Sequence, residues 1–221
     1  ITRRNSWRPD KFFYRWLIKQ FDGIICTTDK LHAMCITAGV SKDGIYNIPN
    51  GVDTDRFHVV SQDERQKIRS SLGLDNSEFI LGTALTLRPT KGLDILLKAI
   101  RKIPLDFKMR LIIIGLSVED VQNPTSEFSK NVTKYLDEIP ANVKIMFVGL
   151  VPDIQQYLSA IDGYVLPSRT EGFPNSALES MSSGLPCIFS EINWTKDIIE
   201  HDKNGVLYPA EDVNSLAESI V

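Results

Sequence analysis

Short apolar runs alternate with longer amphipathic segments along most of the chain. The apolar runs predict buried strands at residues 80–85, 110–114, 143–148, 163–166 and 186–189, and the amphipathic segments predict helices at 93–103, 127–139, 154–161 and 176–183. Strands that are apolar throughout and are joined by helices are typical of a parallel sheet covered on both faces. The predicted fold class is therefore α/β, with a Rossmann-like parallel sheet and helices on both of its faces.

The start of the chain carries a shorter version of the same alternation. A strand is predicted at 23–27, a helix at 29–38 and a second strand at 45–48, before a turn at 49–53. The polar stretch at 61–64 then leads into a short helix. We place a boundary here, with residues 1–60 as the end of one domain plus a linker, and residues 61–221 as a second domain that is incomplete at its C-terminus. We expect a fragment, because the chain begins without a methionine and ends inside an apparent helix.

Composition narrows the class of protein further. Hydrophobic residues make up 43% of the chain and charged residues 24%, which is typical of a globular protein, and the net charge of -3 argues against a surface that coats nucleic acid. The three cysteines have no CxxC spacing, which predicts reduced thiols and no metal site. No apolar run reaches the roughly 18 residues that a membrane-spanning helix needs. We therefore expect a cytoplasmic chain.

A basic and aromatic segment precedes the first predicted strand. Residues 3–19 carry six basic side chains and one acidic side chain, interleaved with aromatic residues such as Trp7 and Trp16. Such a segment can lie on anionic lipid or accept a phosphate-bearing ligand. The same pattern also describes a half-buried helix with one solvated face. Peripheral contact with the cytoplasmic face of a membrane is thus one of two open interpretations.

The stretch Arg88-Pro-Thr-Lys-Gly92 is a candidate for phosphate binding. The two commonest nucleotide fingerprints, GxGxxG after a strand and the P-loop, are absent from the chain. This stretch instead joins a predicted strand to a predicted helix, where Thr90 can cap the helix and Gly92 permits close approach. Lys91 puts a cation at the positive end of the helix dipole, which favours a shared anion such as phosphate. The alternative is a solvated lysine tolerated on the surface.

Two carboxylates, Glu171 and Glu179, follow the predicted strand at 163–166. The acid and base of a glycosidase lie roughly 5 to 9.5 Å apart, whereas eight residues along one helix would separate these two by about 12 Å. Pro174 makes the helix begin near Asn175 or Ser176, which leaves Glu171 in the preceding loop. Glu179 also has a structural alternative, because Ser176-Ala-Leu-Glu179 matches the S-x-x-E capping box.

The residues around both glutamates resemble a known family. The stretch at 165–186, which contains both, resembles the E-x7-E signature of the retaining GT-B glycosyltransferases of family 4. Three further segments agree with that family in order. Residues 48–57 are similar to its interdomain segment, residues 88–97 to its donor phosphate loop, and residues 204–209 to its late glycine turn. The resemblance covers residues 20–221.

The resemblance implies a GT-B type fold, in which two Rossmann-like domains face a cleft. Residues 1–60 would be the end of the acceptor-side domain and the linker, and residues 61–221 would be the domain that binds the nucleotide-sugar donor. The implied reaction is metal-independent transfer of a hexosyl group, with retention of configuration, from a UDP-, GDP- or ADP-sugar to a lipid-linked or polysaccharide acceptor. The nucleotide sugar is a co-substrate, so no cofactor is expected, and we expect this fragment alone to be inactive.

The resemblance also assigns roles to single residues. Lys91 and a nearby arginine, here Arg88, would clamp the donor diphosphate, while Glu171 would meet the donor sugar and Glu179 would hold the ribose hydroxyls. We thus expect catalytic roles for Glu171, Lys91 and Arg88, and donor-binding roles for Gly172, Phe173, Pro174, Asn175, Ser176 and Glu179.

Two departures from the family's pattern keep a second function open. The family places its clamp arginine a few residues before the lysine, where this chain has Thr86, and whether Arg88 replaces that arginine is open. The loop after Ser190 contains Trp194 in place of the usual small-residue turn, and this side chain either narrows a donor pocket or packs against the domain. The alternative function is a non-catalytic binding or structural domain with the same fold.

Overall fold

The computed structural model describes Trp16 and residues 20–221, apart from the side chains of Lys196 and Asp197. The basic and aromatic segment at 3–19 therefore lies outside the described residues, except for Trp16, which is exposed. The chain divides into two compact units. One comprises the residues up to Gly51 together with Glu171–Asn175, and the other comprises Val52–Thr170 and Ser176–Val221. The domain boundary at residue 60 stays a prediction.

The first unit contains a strand, a helix and a second strand. These elements are β1 (Ile24–Cys26), α1 (Asp29–Thr37) and β2 (Ile45–Asn47), and the two strands pair in parallel. The Thr28 side chain accepts a hydrogen bond from the backbone N–H of Leu31, which is why α1 begins at Asp29. Buried Cys26 and Cys35 pack together with Ile45. The predicted alternation of this region is confirmed.

The second unit continues the alternation of strands and helices. Its strands are β3 (Phe79–Ala84), β4 (Met109–Ile114), β5 (Val143–Gly149), β6 (Gly163–Leu166), β7 (Cys187–Glu191) and β8 (Val206–Pro209). The helices of this part of the chain are α2 (Gln62–Ser71), α3 (Leu93–Ile100), α4 (Val118–Gln122), α5 (Glu127–Asp137), α6 (Ile154–Ala160), α7 (Asn175–Ser182), α8 (Thr195–Ile198) and α9 (Val213–Ile220).

The strands of the second unit form one parallel sheet of six strands, in the order β5-β4-β3-β6-β7-β8. Successive side chains of a strand point to opposite faces. Leu81 of β3 belongs to the core beneath α3, α5 and α9, whereas the next residue, Gly82, faces Ile161 at the end of α6. Helices therefore cover both faces of the sheet, and the predicted α/β fold class is confirmed.

The strand order reverses between β3 and β6. The chain runs outward from β3 through β4 to β5, and then crosses back to place β6 on the other side of β3. In open parallel sheets, ligands bind outside the carboxyl ends of the strands at such a reversal. The loop at 85–92 follows β3, and the loop that begins at Pro167 follows β6. The fold thus places the candidate phosphate loop where parallel sheets bind ligands.

Some elements differ from those that the sequence predicts. Helix α3 ends at Ile100 instead of residue 103, because the chain tightens into a turn in which the backbone N–H groups of Lys102 and Ile103 donate to the carbonyl oxygens three residues before them. The hydrophobic pattern does not predict α4, α8 or β8, which have only four or five residues each. In the part of the chain that the structure describes, no helix has the length and apolarity to cross a membrane.

Candidate functional site

The loop after β3 forms a short 3-10 turn that leads directly into α3. The 3-10 helix Pro89–Lys91 is followed by Gly92, which has a left-handed φ of 69° and is the N-cap of α3. The prediction that Thr90 caps this helix is therefore wrong, and no side chain takes its place. Because the first backbone N–H groups of a helix have no partner within the helix, this start favours a bound anion.

Gly92 brings this loop against the end of β6. A Cβ atom at position 92 would lie 1.9 Å from the carbonyl oxygen of Pro167, which is far inside van der Waals contact. Only glycine combines this approach with a positive φ at no steric cost. The close approach expected at Gly92 is thus one of backbone to backbone, and it joins the loops of two neighbouring strands.

The two candidate cations of the loop share one hydrogen-bonded turn. The backbone N–H of Lys91 donates to the carbonyl oxygen of Arg88 at 2.9 Å. The backbone N–H of Arg88 in turn donates to the carbonyl oxygen of Thr86 at 2.7 Å. Arg88 and Thr86 are exposed, whereas Lys91 is half-buried. The structure therefore places Arg88 and Lys91 in one backbone turn at the carboxyl end of β3.

Arg169, which follows β6, binds this loop. Its backbone N–H donates to the carbonyl oxygen of Thr90 at 2.8 Å, and its Nη1 donates to the carbonyl oxygen of Pro89 at 2.5 Å. Its guanidinium also donates to both carboxylate oxygens of Asp94 at 2.8 Å and to Oε1 of Glu211 at 2.6 Å. The Asp94 and Glu211 carboxylates raise the pKa of Arg169 above its ordinary value, Asp94 being the larger cause.

Sequence reasoning gives Arg169 no role. Its partners lie 42 to 80 residues away along the chain, so spacing alone does not reveal them. The available signal is its place between the end of β6 and Glu171, at a strand end where functional residues concentrate.

The segment Glu171–Asn175 belongs to the first unit and is held there by Asn50. The side-chain amide of Asn50 donates to the carbonyl oxygen of Phe173 at 2.8 Å and to Oδ1 of Asn175 at 3.0 Å. Pro174 is buried, Asn175 is exposed, and the other three residues are partly buried. Sequence reasoning gives Asn50 no role, although it lies in the turn at 49–53 and in the segment at 48–57 that resembles the family's interdomain segment.

Ser176 does not take the capping role that the sequence allows. Helix α7 already begins at Asn175, so Ser176 lies inside the first turn instead of at the N-cap. Its side chain is hydrogen-bonded to the hydroxyl of Tyr164, whose pKa burial raises above its ordinary value. The capping-box alternative for Glu179 is therefore wrong, and Ser176 and Glu179 are instead two residues of one helix.

Glu179 is a half-buried carboxylate with a cation nearby. Burial raises the pKa of Glu179, and the charge of Arg56 acts in the opposite direction. Arg56 is held in place by Pro152, whose carbonyl oxygen accepts from its Nη2 at 2.7 Å, and by Oε1 of Gln155, which accepts at 2.8 Å. A carboxylate in such a place can accept two hydrogen bonds from a pair of hydroxyl groups.

Trp194 packs against the domain. It is 3% exposed, and its ring meets the ring of Phe189 edge to face at a centroid distance of 5.4 Å. This arrangement is what the packing alternative predicts.

Comparison with known proteins assigns the chain to a family. The family model described as Glycosyl transferases group 1 matches residues 64–221, and the model described as Glycosyltransferase Family 4 matches residues 1–56. The chain belongs to the glycosyl transferases of group 1. The first match covers more than half of the chain, which confirms the resemblance that the sequence motifs indicate.

Similar proteins and solved structures agree with this family assignment. The UDP-Gal:alpha-D-GlcNAc-diphosphoundecaprenol alpha-1,3-galactosyltransferase of Escherichia coli is 31% identical over 100% of this chain and 56% of its own length. The lipopolysaccharide core biosynthesis mannosyltransferase LpsB of Rhizobium meliloti is 23% identical over 93% of this chain and 56% of its own length. The Anabaena protein HepE in complex with UDP and glucose has a TM-score of 0.76 and 26% identity, over 93% of this chain and 54% of that protein.

These matches confirm the GT-B fold that the motifs imply. The chain spans about half the length of the curated relatives that it matches.

Proposed function

We propose that this chain supplies the nucleotide-sugar-binding part of a hexosyltransferase. The observation that carries the proposal is the turn at 88–92, which joins two cations to the start of α3 at the reversal of strand order. Family membership supports it, because the relatives are galactosyl- and mannosyltransferases and HepE was solved with UDP and glucose. The co-substrate would be a UDP-, GDP- or ADP-sugar.

The chemistry explains why cations and a helix start suit this reaction. Glycosyl transfer expels a nucleoside diphosphate, so negative charge grows on the leaving oxygens in the transition state. Arg88, Lys91 and the start of α3 would stabilise that charge, because preorganised cations and dipoles act where charge develops. This arrangement would need no metal ion. Metal independence and retention of configuration are parts of the proposal.

The carboxylates would act on the other parts of the donor. Glu179 would accept hydrogen bonds from the two ribose hydroxyls, since a carboxylate has acceptor capacity for both. Glu171 would accept hydrogen bonds from the donor sugar and favour the positive charge that forms at its reacting carbon. Residues 172–176 would complete the contacts to that sugar.

The acceptor is proposed from the relatives. The names of the galactosyltransferase and of LpsB refer to a lipid diphosphate and to lipopolysaccharide. We propose a lipid-linked or polysaccharide acceptor, with peripheral contact at the cytoplasmic face of a membrane.

Calorimetric titration of the chain with UDP-, GDP- and ADP-sugars tests the proposal. We expect one nucleotide to bind, while the chain alone transfers no sugar, because it spans about half the length of its relatives. The exposed Thr86 in place of the family's arginine favours a second candidate, a non-catalytic binding or structural domain. Binding by none of the three donors would favour that candidate.

A further inference from the structure

We propose that Arg169 is the positioning residue of the diphosphate-binding turn, which it holds in place without binding the donor. This inference rests on the proposed function. It concerns the residues that fix Arg88 and Lys91, not the residues that touch the nucleotide sugar.

The hydrogen bonds of Arg169 leave it little capacity for a ligand. A guanidinium has five N–H donors. Nε donates to Glu211, Nη1 donates to Pro89 and Asp94, and Nη2 donates to Asp94, so four of the five are used within the chain. Arg88, by contrast, is exposed and takes part in none of the ion pairs that join described residues. A phosphate group would therefore meet Arg88 before it could displace the partners of Arg169.

The contacts of Arg169 fall on the backbone that carries Lys91. The carbonyl oxygens of Pro89 and Thr90, the two residues before Lys91, both accept hydrogen bonds from Arg169. Just beyond Lys91, the backbone at Gly92 abuts the carbonyl oxygen of Pro167. The turn is thus fixed on both sides of the lysine by the residues that follow β6.

Asp94 links Arg169 to the start of α3 as well. It lies in the first turn of α3 and is 8% exposed, and both of its carboxylate oxygens are paired with Arg169. A buried carboxylate needs such a partner, because an unpaired buried charge is strongly destabilising. The planar fork of arginine matches the two oxygens, and a lysine cannot reproduce this geometry. Arg169 therefore fixes the turn and the helix start against each other.

The experiment is a double-mutant cycle between Arg169→Lys and Lys91→Ala. The nucleoside diphosphate that binds best among UDP, GDP and ADP, and the matching nucleoside without phosphates, are titrated by calorimetry into each variant. We expect Arg169→Lys to weaken diphosphate binding about tenfold, the order of one charged hydrogen bond, and to leave nucleoside binding unchanged. We expect Lys91→Ala to cost much less in the Arg169→Lys background than in the wild type, because the lysine there is already misplaced.

Arg110→Lys is the matched control. Arg110 is also a partly buried arginine paired with a carboxylate, Glu78, at 2.7 Å. It lies near the amino end of β4, however, whereas the turn at 88–92 follows the carboxyl end of β3. We expect this variant to bind the diphosphate as the wild type does. Thermal unfolding of every variant establishes that it is folded.

Asp94→Asn tests the positioning role of Arg169 independently, and it remains a test if Arg169→Lys does not fold. It removes a negative charge near the proposed phosphate site, so electrostatics alone predicts tighter diphosphate binding. Positioning predicts weaker binding, because the fork of Arg169 loses a charged partner.

Additive effects of Arg169→Lys and Lys91→Ala, or tighter binding by Asp94→Asn, would overturn the positioning role and leave the proposed function standing. Equal losses of nucleoside and diphosphate binding would likewise overturn it, since they would reflect general damage to the fold. Failure of the wild-type chain to bind any nucleoside diphosphate would overturn the proposed function, and this inference with it.

Discussion

The side-chain amide of Asn50 donates a hydrogen bond of 2.8 Å to the backbone carbonyl oxygen of Phe173, a residue 123 positions further along the chain. The same amide reaches Oδ1 of Asn175 at 3.0 Å. One side chain in the turn after β2 thus fixes two points of the segment that contains Glu171. If this segment contacts the donor sugar, Asn50 controls the shape of that contact without touching the reacting atoms.

Asn50→Ala is therefore expected to weaken binding of the nucleotide sugar more than binding of the nucleoside diphosphate. The variant removes both hydrogen bonds to the segment, which meets only the sugar in the proposed site. We expect a loss of about 1 to 2 kcal/mol in the sugar-dependent part of the binding free energy. Calorimetry with the sugar and diphosphate forms of one nucleotide measures this difference.

Asn47→Ala provides the matched control, because Asn47 also makes two side-chain hydrogen bonds in the first unit, to His32 and Asp29. It should leave the ratio of the two affinities unchanged. If Asn50→Ala weakened binding of the nucleotide sugar and of the nucleoside diphosphate equally, the Glu171 segment would not be the part of the site that contacts the sugar.

The sequence predicts features that depend on neighbouring residues and misses those that depend on contacts between residues far apart along the chain. Strand β6 is predicted with its observed bounds, since the run from Gly163 to Leu166 lies between the charged Asp162 and Pro167. The predicted parallel sheet follows from several such runs. Helix α4 is missed because five residues are too few for a helical period, although the Ser117 and Asp120 pair that caps it is visible as S-x-x-D. Arg169 and Asn50 are missed because their partners are set by the fold.

The same contrast separates the candidate site residues that motifs reveal from those that only the fold reveals. Motifs find Lys91, Glu171 and Glu179, because side chains that bind a ligand recur in a family's pattern, but their roles here stay predictions. The capping box shows how a local pattern can mislead. Ser176-Ala-Leu-Glu179 has the right residues, yet the helix begins at Asn175, two residues before the start that a Ser176 cap requires, and the serine hydroxyl pairs with Tyr164.

Glu179→Gln is expected to keep the fold and to weaken nucleotide binding by about 1 to 3 kcal/mol, the range for hydrogen bonds to a charged group. The sharper test uses the ligand. Removal of the 2′-hydroxyl of the ribose should weaken binding to the wild type and have much less effect on Glu179→Gln, because the carboxylate that reads this hydroxyl is already gone. Calorimetry with the ribose and 2′-deoxyribose forms of the nucleoside diphosphate measures both effects. If the deoxy form costs both proteins the same free energy, Glu179 does not bind the ribose.

The raised pKa of Glu179 predicts a dependence of stability on pH. Burial makes the charged form less favourable in the folded chain than in the unfolded chain. The contribution of Glu179 to stability is therefore fully present below its unfolded pKa and is lost as the pH rises through its folded pKa. Relative to the wild type, Glu179→Gln should become more stable as the pH rises from about 4 towards 7.

Chemical unfolding of the wild type and Glu179→Gln at a series of pH values measures this difference. A difference that stays constant with pH would show that the pKa of Glu179 is the same in the folded and unfolded chains. Stabilisation together with weaker nucleotide binding is the pattern expected of a carboxylate kept for function at some cost in stability.

Gly92→Ala tests the backbone approach that positions the phosphate turn. The new methyl group would lie 1.9 Å from the carbonyl oxygen of Pro167, and the residue would also have to keep a φ of 69°. Gly73→Ala separates these two effects, because Gly73 has a φ of 67° but nothing within 4 Å of the added carbon. The free energy of unfolding of Gly73→Ala should therefore fall only by the cost of a left-handed backbone at a residue with a Cβ atom, about 1 to 2 kcal/mol.

We expect Gly92→Ala to lose more free energy of unfolding than Gly73→Ala does. We also expect it to lose nucleoside diphosphate binding, since the turn must move away from β6 to admit the methyl group. Denaturant unfolding gives the two free energies, and calorimetry gives the two affinities. If both variants lost equal stability and bound nucleotide alike, the turn could shift without consequence. The approach of Gly92 to Pro167 would then not be what holds Lys91 in place.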